Sequence, residues 1–238
     1  MSKSESLGLR LGKARVASVP DVADRARRGL LAFVSAMAEN GHSPSEIATQ
    51  VSDGSAAQGI GRVGLSALSP QGLACAEGCA FCCILNGEDG GTITQAEAVE
   101  LHTALSPLSG QPDGRGWHPK ACPALDPETR RCRAYAARPM ICRSYVSGDV
   151  AACERVAEGE AAEGPGTLAP YHTYLAAIGL SRAALKGAKR VSTYSLAAVA
   201  AGAVEGQSLD RTLASARHKP GELDAELKRS KRDMSRAT

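Results

Sequence analysis

Aromatic side chains are scarce in this chain, at 3% of 238 residues, although hydrophobic residues as a whole reach 43%. A core must then come mostly from Ala, Leu and Val, which suits closely packed small helices better than a β-sandwich. Long apolar runs are lacking too. The most apolar helical stretch, Gly29 to Met37, is flanked by Arg25, Arg27, Arg28 and Glu39 and falls far short of the ~20 residues that span a bilayer. The N-terminal stretch carries charges but no run resembling a signal peptide's core, so the sequence points to the cytoplasm and away from membranes. A net charge of +3 is too mild to argue for nucleic acid. The G-x-S-x-G, Walker A and H-E-x-x-H patterns are absent, which leaves those hydrolase and nucleotide chemistries without support.

Cysteine is missing from the first 74 residues and then dense, with seven of the eight between positions 75 and 142. They begin as C-x-x-x-C-x-x-C-C (Cys75, Cys79, Cys82, Cys83) and resume as Cys122, Cys132 and Cys142, with Cys153 trailing. In a reducing compartment such a group reads as metal-binding or catalytic; in a secreted protein it would read as a disulfide framework. A metal–thiolate site needs about four donors around one centre, so seven thiols imply two sites or several unligated cysteines. Offsets of 0, 4, 7 and 8 put the first four thiols on one face if the segment is helical; Gly78 weakens that helix and leaves a loop as the alternative. His118, four residues before Cys122, is the best histidine to complete a mixed site, whereas His42, His102, His172 and His218 read as structural or surface residues.

Around this centre the chain reads as mainly α: one domain of small helices about an irregular cysteine-rich metal centre with room for a hairpin. A first helix is expected over 20–40, capped by Ser18 and closed by Asn40-Gly41, followed by a second from the capping box Ser43-Pro44-Ser45-Glu46. Residues 53–73, rich in Gly and Ser, read as a linker; Gly59, Gly61 and Gly64 spell G-x-G-x-x-G but follow no buried strand. A capping box at Thr94 and Glu97 starts a helix to about Leu105, 107–119 reads as loop, and the turn at 126–129 can fold 122–135 into a hairpin. Four further helices are expected at 171–178, 181–190, 193–204 and 208–217. The organisation is then a flexible N-terminus at 1–17, helices and linker at 18–73, the cysteine region at 74–153, a helical part at 154–218 and a flexible charged tail at 219–238.

The second half of the cysteine region reads C-P-x-L (Cys122 to Leu125) and then C-x-x-Y-x-x-R-P-x-x-C-R (Cys132, Tyr135, Arg138, Pro139, Cys142, Arg143). Together with the cysteine-rich start it resembles the zinc- or iron-chelating C-x-x-C-x-x-C-C family, also called the YkgJ-type cysteine cluster family, which includes flagellin lysine N-methylases. This chain departs from that pattern with three residues, not two, between Cys75 and Cys79. The resemblance implies a bound iron–sulfur cluster or zinc. Candidate ligands are Cys75, Cys79, Cys82, Cys83, Cys122, Cys132 and Cys142. Arg138 and Arg143 are placed to donate N–H bonds to sulfur or to a substrate carboxylate, with Arg130, Arg131 and Arg133 adding positive field; an ordinary carboxylate-paired hairpin clamp is the plainer role for Arg138. Tyr135 reads as a packed ring.

Three functions fit these residues: a metal-binding module, a cluster-dependent enzyme such as a protein lysine N-methylase using S-adenosylmethionine, or a zinc-stapled scaffold for a protein partner. Cys75, Cys79 and Cys82 also spell the triplet of radical enzymes, but Cys83 follows at once and no barrel repeat is present. Substrate and partner are not encoded legibly.

Overall fold

The computed structural model describes residues 3–85, 89–163 and 166–236. The outermost positions of the two expected flexible ends, 1–2 and 237–238, lie outside the described residues. Eleven α-helices are found among the described residues, with two small two-stranded sheets. In order they are α1 (Lys3–Lys13), α2 (Pro20–Glu39), α3 (Pro44–Ser52), α4 (Ser55–Ser66), β1 (Thr92–Thr94), α5 (Gln95–Leu105), α6 (Met140–Ser144), β2 (Tyr145–Val146), α7 (Val150–Ala157), β3 (Gly166–Thr167), α8 (Ala169–Leu185), β4 (Thr193–Ser195), α9 (Leu196–Val204), α10 (Leu209–Ala216) and α11 (Pro220–Arg236). The mainly helical class expected from the sequence is what the chain adopts. No helix is long and apolar enough to cross a membrane among the described residues.

Helix α8 forms the axis of the larger core. It is buried around nearly its whole circumference, as a helix apolar on all sides must be. Leu7 and Leu11 of α1, Leu30 and Val34 of α2, Ile47 of α3, and Leu223 and Leu227 of α11 close around it. Both chain ends expected to be flexible are therefore helices docked on this core. The pairs Leu7/Leu11 and Leu223/Leu227 recur at i,i+4, a narrow apolar stripe within otherwise charged helices, and each fully buried leucine contributes about 1.5–3 kcal/mol.

Glycine explains two further departures. Residues 55–66 form α4, not a linker, because Gly61 and Gly64 let it approach α8 closely. A Cβ at Gly61 would lie 3.2 Å from Tyr174 Cβ, and one at Gly64 would lie 3.0 Å from Pro170 Cβ, both residues of α8. Likewise the helices expected at 171–178 and 181–190 merge into the single α8, which ends at Leu185, short of the expected 190, and has Gly179 inside it. A Cβ there would stand 2.5 Å from Val16 Cγ2, so this glycine marks close packing and not a break.

A second apolar cluster gathers α5, α9 and α10 with Ala121, Leu125 and Ala134 from the cysteine region. β1 and β4 pair antiparallel, Ile93 opposite Tyr194, and each strand runs directly into a helix. The expected helix at 193–204 thus begins as a strand. The capping boxes at Ser43/Glu46 and Thr94/Glu97 are both formed. Helix α2 ends as expected, with Gly41 at φ 82° and the His42 amide donating to the Met37 carbonyl at 3.0 Å. At its start Val19 holds the cap position and no side chain caps it, so Ser18 does not serve that purpose.

Glu97 joins the two cores. Its carboxylate accepts from the Thr94 amide at 2.9 Å, from the Met140 amide at 2.7 Å and from the Tyr174 hydroxyl. The start of α6, the helix that carries Cys142, is pinned by this bond.

Candidate metal centre

The segment 75–83 is not the helix that would align its four thiols. Gly78 takes a left-handed φ of 81°, and only Phe81–Cys83 forms a single 3-10 turn. What brings the cysteines together is tertiary pairing. Residues 83–85 lie antiparallel to 120–122: the Cys122 amide donates to the Cys83 carbonyl and the Leu85 amide to the Lys120 carbonyl, both at 2.8 Å. The expected hairpin is present as the bridge between Leu125 and Cys132, closed by Asp126. The Asp126 carboxylate accepts from the Thr129 amide at 2.7 Å, and Arg130 at φ 57° completes the turn. Cys142 enters from α6.

Four segments thus bring Cys82, Cys83, Cys122, Cys132 and Cys142 into one neighbourhood. Their thiols feel one another electrostatically. Cys122, Cys132 and Cys82 all push Cys142 up, after burial, and Cys82, Cys122 and Cys142 push Cys83 up, after its hydrogen bond to Cys82 and burial. Burial raises the thiols most: Cys122 to about 12, Cys142 well above its ordinary value, and Cys132 upward. The exception is Cys82, which a hydrogen bond from the Cys83 thiol holds down at about 7, while Cys83 rises by donating it. Cys75 lies outside this set, and Cys79 adjoins it through Cys82. The Cys79 thiol is raised by burial, with Cys82, Cys153 and Cys75 as charged neighbours, and Cys75 Sγ is 3.7 Å from the Ser147 carbonyl. Cys153, on α7 beyond the recognisable motif, is thereby a neighbour of Cys79. The only sequence signal for it was its residue type.

The arginines divide. Arg138 lies with its guanidinium 3.6 Å from the Tyr135 ring centre, and its charge favours the thiolate forms of Cys82, Cys132 and Cys142. Its Nε is buried without a hydrogen-bond partner, and so is that of Arg133. Arg143 instead spends its donors on backbone: Nε to the Arg138 carbonyl at 2.6 Å and an amino group to the Ala136 carbonyl. It clamps the turn that positions Arg138. Arg131 pairs with Glu77 at 3.1 Å, and Arg130 sits 5.5 Å from the Trp117 ring centre. Tyr135 is 63% exposed, so it is a lid for Arg138 and not the packed ring expected. His118 Nδ1 accepts from the Lys120 amide at 3.1 Å, while His102 Nε2 meets the Gln207 carbonyl at 3.0 Å.

As placed, no three His, Cys, Asp or Glu side chains among the described residues are grouped tightly enough to hold an ion. The five thiols are a nest of neighbours and not a finished coordination sphere. The donor chemistry nevertheless fits a thiophilic cation. Buried thiols resist ionising alone, and a bound metal reverses that by deprotonating them. Two buried guanidinium N–H groups without acceptors are what an anionic thiolate centre would satisfy.

Residues 74–159 match the family model CxxCxxCC, described as "Putative zinc- or iron-chelating domain". The match coincides with the segment in which the motifs resemble that family, and its description agrees with zinc or iron as the bound element. The comparisons with curated proteins and with solved structures gave no match.

Proposed function

We propose that this chain is a metal-binding cysteine-cluster protein. Thiolates drawn from Cys75, Cys79, Cys82, Cys83, Cys122, Cys132 and Cys142, centred on the last five, hold an iron–sulfur cluster or zinc. The observation that carries this reading is the match of residues 74–159 to a zinc- or iron-chelating family model, over a segment whose folding brings five cysteines from four places near two buried guanidinium N–H groups without acceptors. Arg138 offsets thiolate charge, and Arg143 fixes Arg138 in place. Cys75, Cys79 and Cys153 form an outer group that is spare for one four-donor centre. Metal binding is preferred to lysine methylation or scaffolding because it needs only what these thiols and arginines supply.

Anaerobic purification with metal analysis and an absorption spectrum tests the reading. A brown protein with broad visible absorption identifies the iron–sulfur form, and a colourless one with stoichiometric zinc identifies the other. Cys122→Ser and Cys142→Ser should each lose most of the bound metal, whereas Cys153→Ser should keep it. Full metal content in Ser variants at all five central positions would place the site elsewhere.

A further inference from the structure

A cleft of about 170 Å³ opens between the end of α8, the 186–193 connection and the start of α11, remote in sequence from the cysteines. Six of its lining residues are basic: Arg182, Lys186, Lys189, Arg190, His218 and Lys219, and none is acidic. Three have partners. Arg182 is committed to the Pro220 carbonyl at 2.8 Å and to the Asp224 carboxylate. Lys189 Nζ donates to Thr49 Oγ1 at 2.7 Å, an uncharged partner that leaves its charge uncompensated. His218 Nδ1 meets Thr193 Oγ1 at 3.2 Å. For Lys186, Arg190 and Lys219 there is no ion pair among the described residues. Four cationic groups thus face one small space without a carboxylate of their own.

His218 closes one side of the cleft. Its side chain is only 6% exposed and its Nε2 lies 3.5 Å from Asp89 Oδ1, so the charge open to a ligand comes from Lys186, Lys189, Arg190 and Lys219.

We propose that this cleft binds a phosphate group, either the free ion or the terminal phosphate of a small monoester. The volume is well below the ~300–1,000 Å³ of pockets that enclose drug-sized ligands, so little more than the charged group is enclosed. A doubly charged tetrahedral anion offers enough acceptors for several cations at once, and Arg190 can engage it in a two-point fork. A carboxylate would use fewer of them. The site is separate from the proposed metal centre and does not depend on it.

Thermal unfolding of the full chain, with inorganic phosphate, with O-phosphoserine and with chloride at matched ionic strength, tests this. Phosphate is expected to raise Tm saturably, and chloride is not. Stronger stabilisation by O-phosphoserine would assign the site to monoesters, and equal stabilisation would assign it to the free ion. The double variant Arg190→Gln/Lys219→Gln, at two exposed positions, should weaken the response at least tenfold while leaving circular dichroism unchanged. Lys186→Gln gives the same reading at severalfold loss should the double variant misfold. Equal Tm shifts in chloride would overturn the proposal. So would a single-stranded oligonucleotide that binds the wild type and is not displaced by phosphate.

Discussion

Glu97 is a fully buried acid whose carboxyl group meets donors: two amides and two hydroxyls converge on it. Burial pushes its pKa up, and the four donors only partly offset that. The folded protein therefore holds the proton to a higher pH than the unfolded chain. The resulting stability is complete below the ordinary carboxylate range and is lost as pH rises through the folded value. Glu97→Gln removes the titration but turns an amide N–H₂ toward donors, which costs about 1–3 kcal/mol. Urea denaturation at pH 4 to 8 should show stability falling with pH in the wild type and a flatter, lower profile in Glu97→Gln. An unchanged slope would mean that Glu97 does not titrate in this range. The capping-box half of this arrangement was legible, since Thr94 and Glu97 stand at the right spacing. That the same carboxylate reaches Met140 and Tyr174 was not, because those contacts span 43 and 77 residues of chain.

Helices meet where glycines permit it, and here local composition misleads. Gly59, Gly61 and Gly64 made residues 53–73 resemble a connector, because glycine is read first as a loss of helix propensity. The compensating gain is close packing of α4 against α8, invisible without knowing which helices face each other. The two effects separate between neighbouring glycines. Gly59 has nothing within 4 Å of a built Cβ, so Gly59→Ala should gain up to ~1 kcal/mol from propensity alone. Gly61 faces Met140 Cε at 2.6 Å and Tyr174 Cβ at 3.2 Å, and both neighbours are fully buried. The Met140 tip can yield but the Tyr174 Cβ cannot, so overpacking, ~1–3 kcal/mol, outweighs the propensity gain. Thermal melts should move in opposite directions for the two alanine variants; a stabilised Gly61→Ala would show that α4 and α8 separate without cost. At 75–83 the sequence left helix and loop both open. The spacing of its cysteines fits one helical face, yet the positive φ at Gly78 ends any helix there, and convergence comes from residues some 40 to 60 positions away.

Across the whole molecule, regular structure and cysteines are unevenly shared. The core around α8 is built from long helices with many fully buried side chains. In the cysteine region 74–159 α5 is the longest helix; the cysteines from Cys82 onward sit on or beside a 3-10 turn at 81–83, isolated bridges at 84/121 and 125/132, and the short helices α6 and α7. Apolar periodicity made the helical body legible, and the two motifs made the metal-binding character legible. The docking of both chain ends was hidden, because two leucines a turn apart barely register within charged helices. This division predicts what metal removal does. A proposed ligand that crosslinks 82–83, 122, 132 and 142 stabilises only the states in which those segments meet, by RT ln(1 + [L]/Kd), or about 4 kcal/mol at a thousandfold excess over Kd. Chelation should therefore raise amide exchange most at the 83–85/120–122 pairing and at the 125–132 bridge, whose backbone bonds are few and local. Exchange within α2 and α8 should change little, because Leu30, Tyr174 and Leu175 are buried by helix packing alone. The Met140 amide is an internal control, since its bond to Glu97 at 2.7 Å belongs to the helical body and should stay protected while Cys142 beyond it loosens. Uniform loss of protection through α2 and α8 would show that the two cores fold as one unit, with the thiol centre holding both.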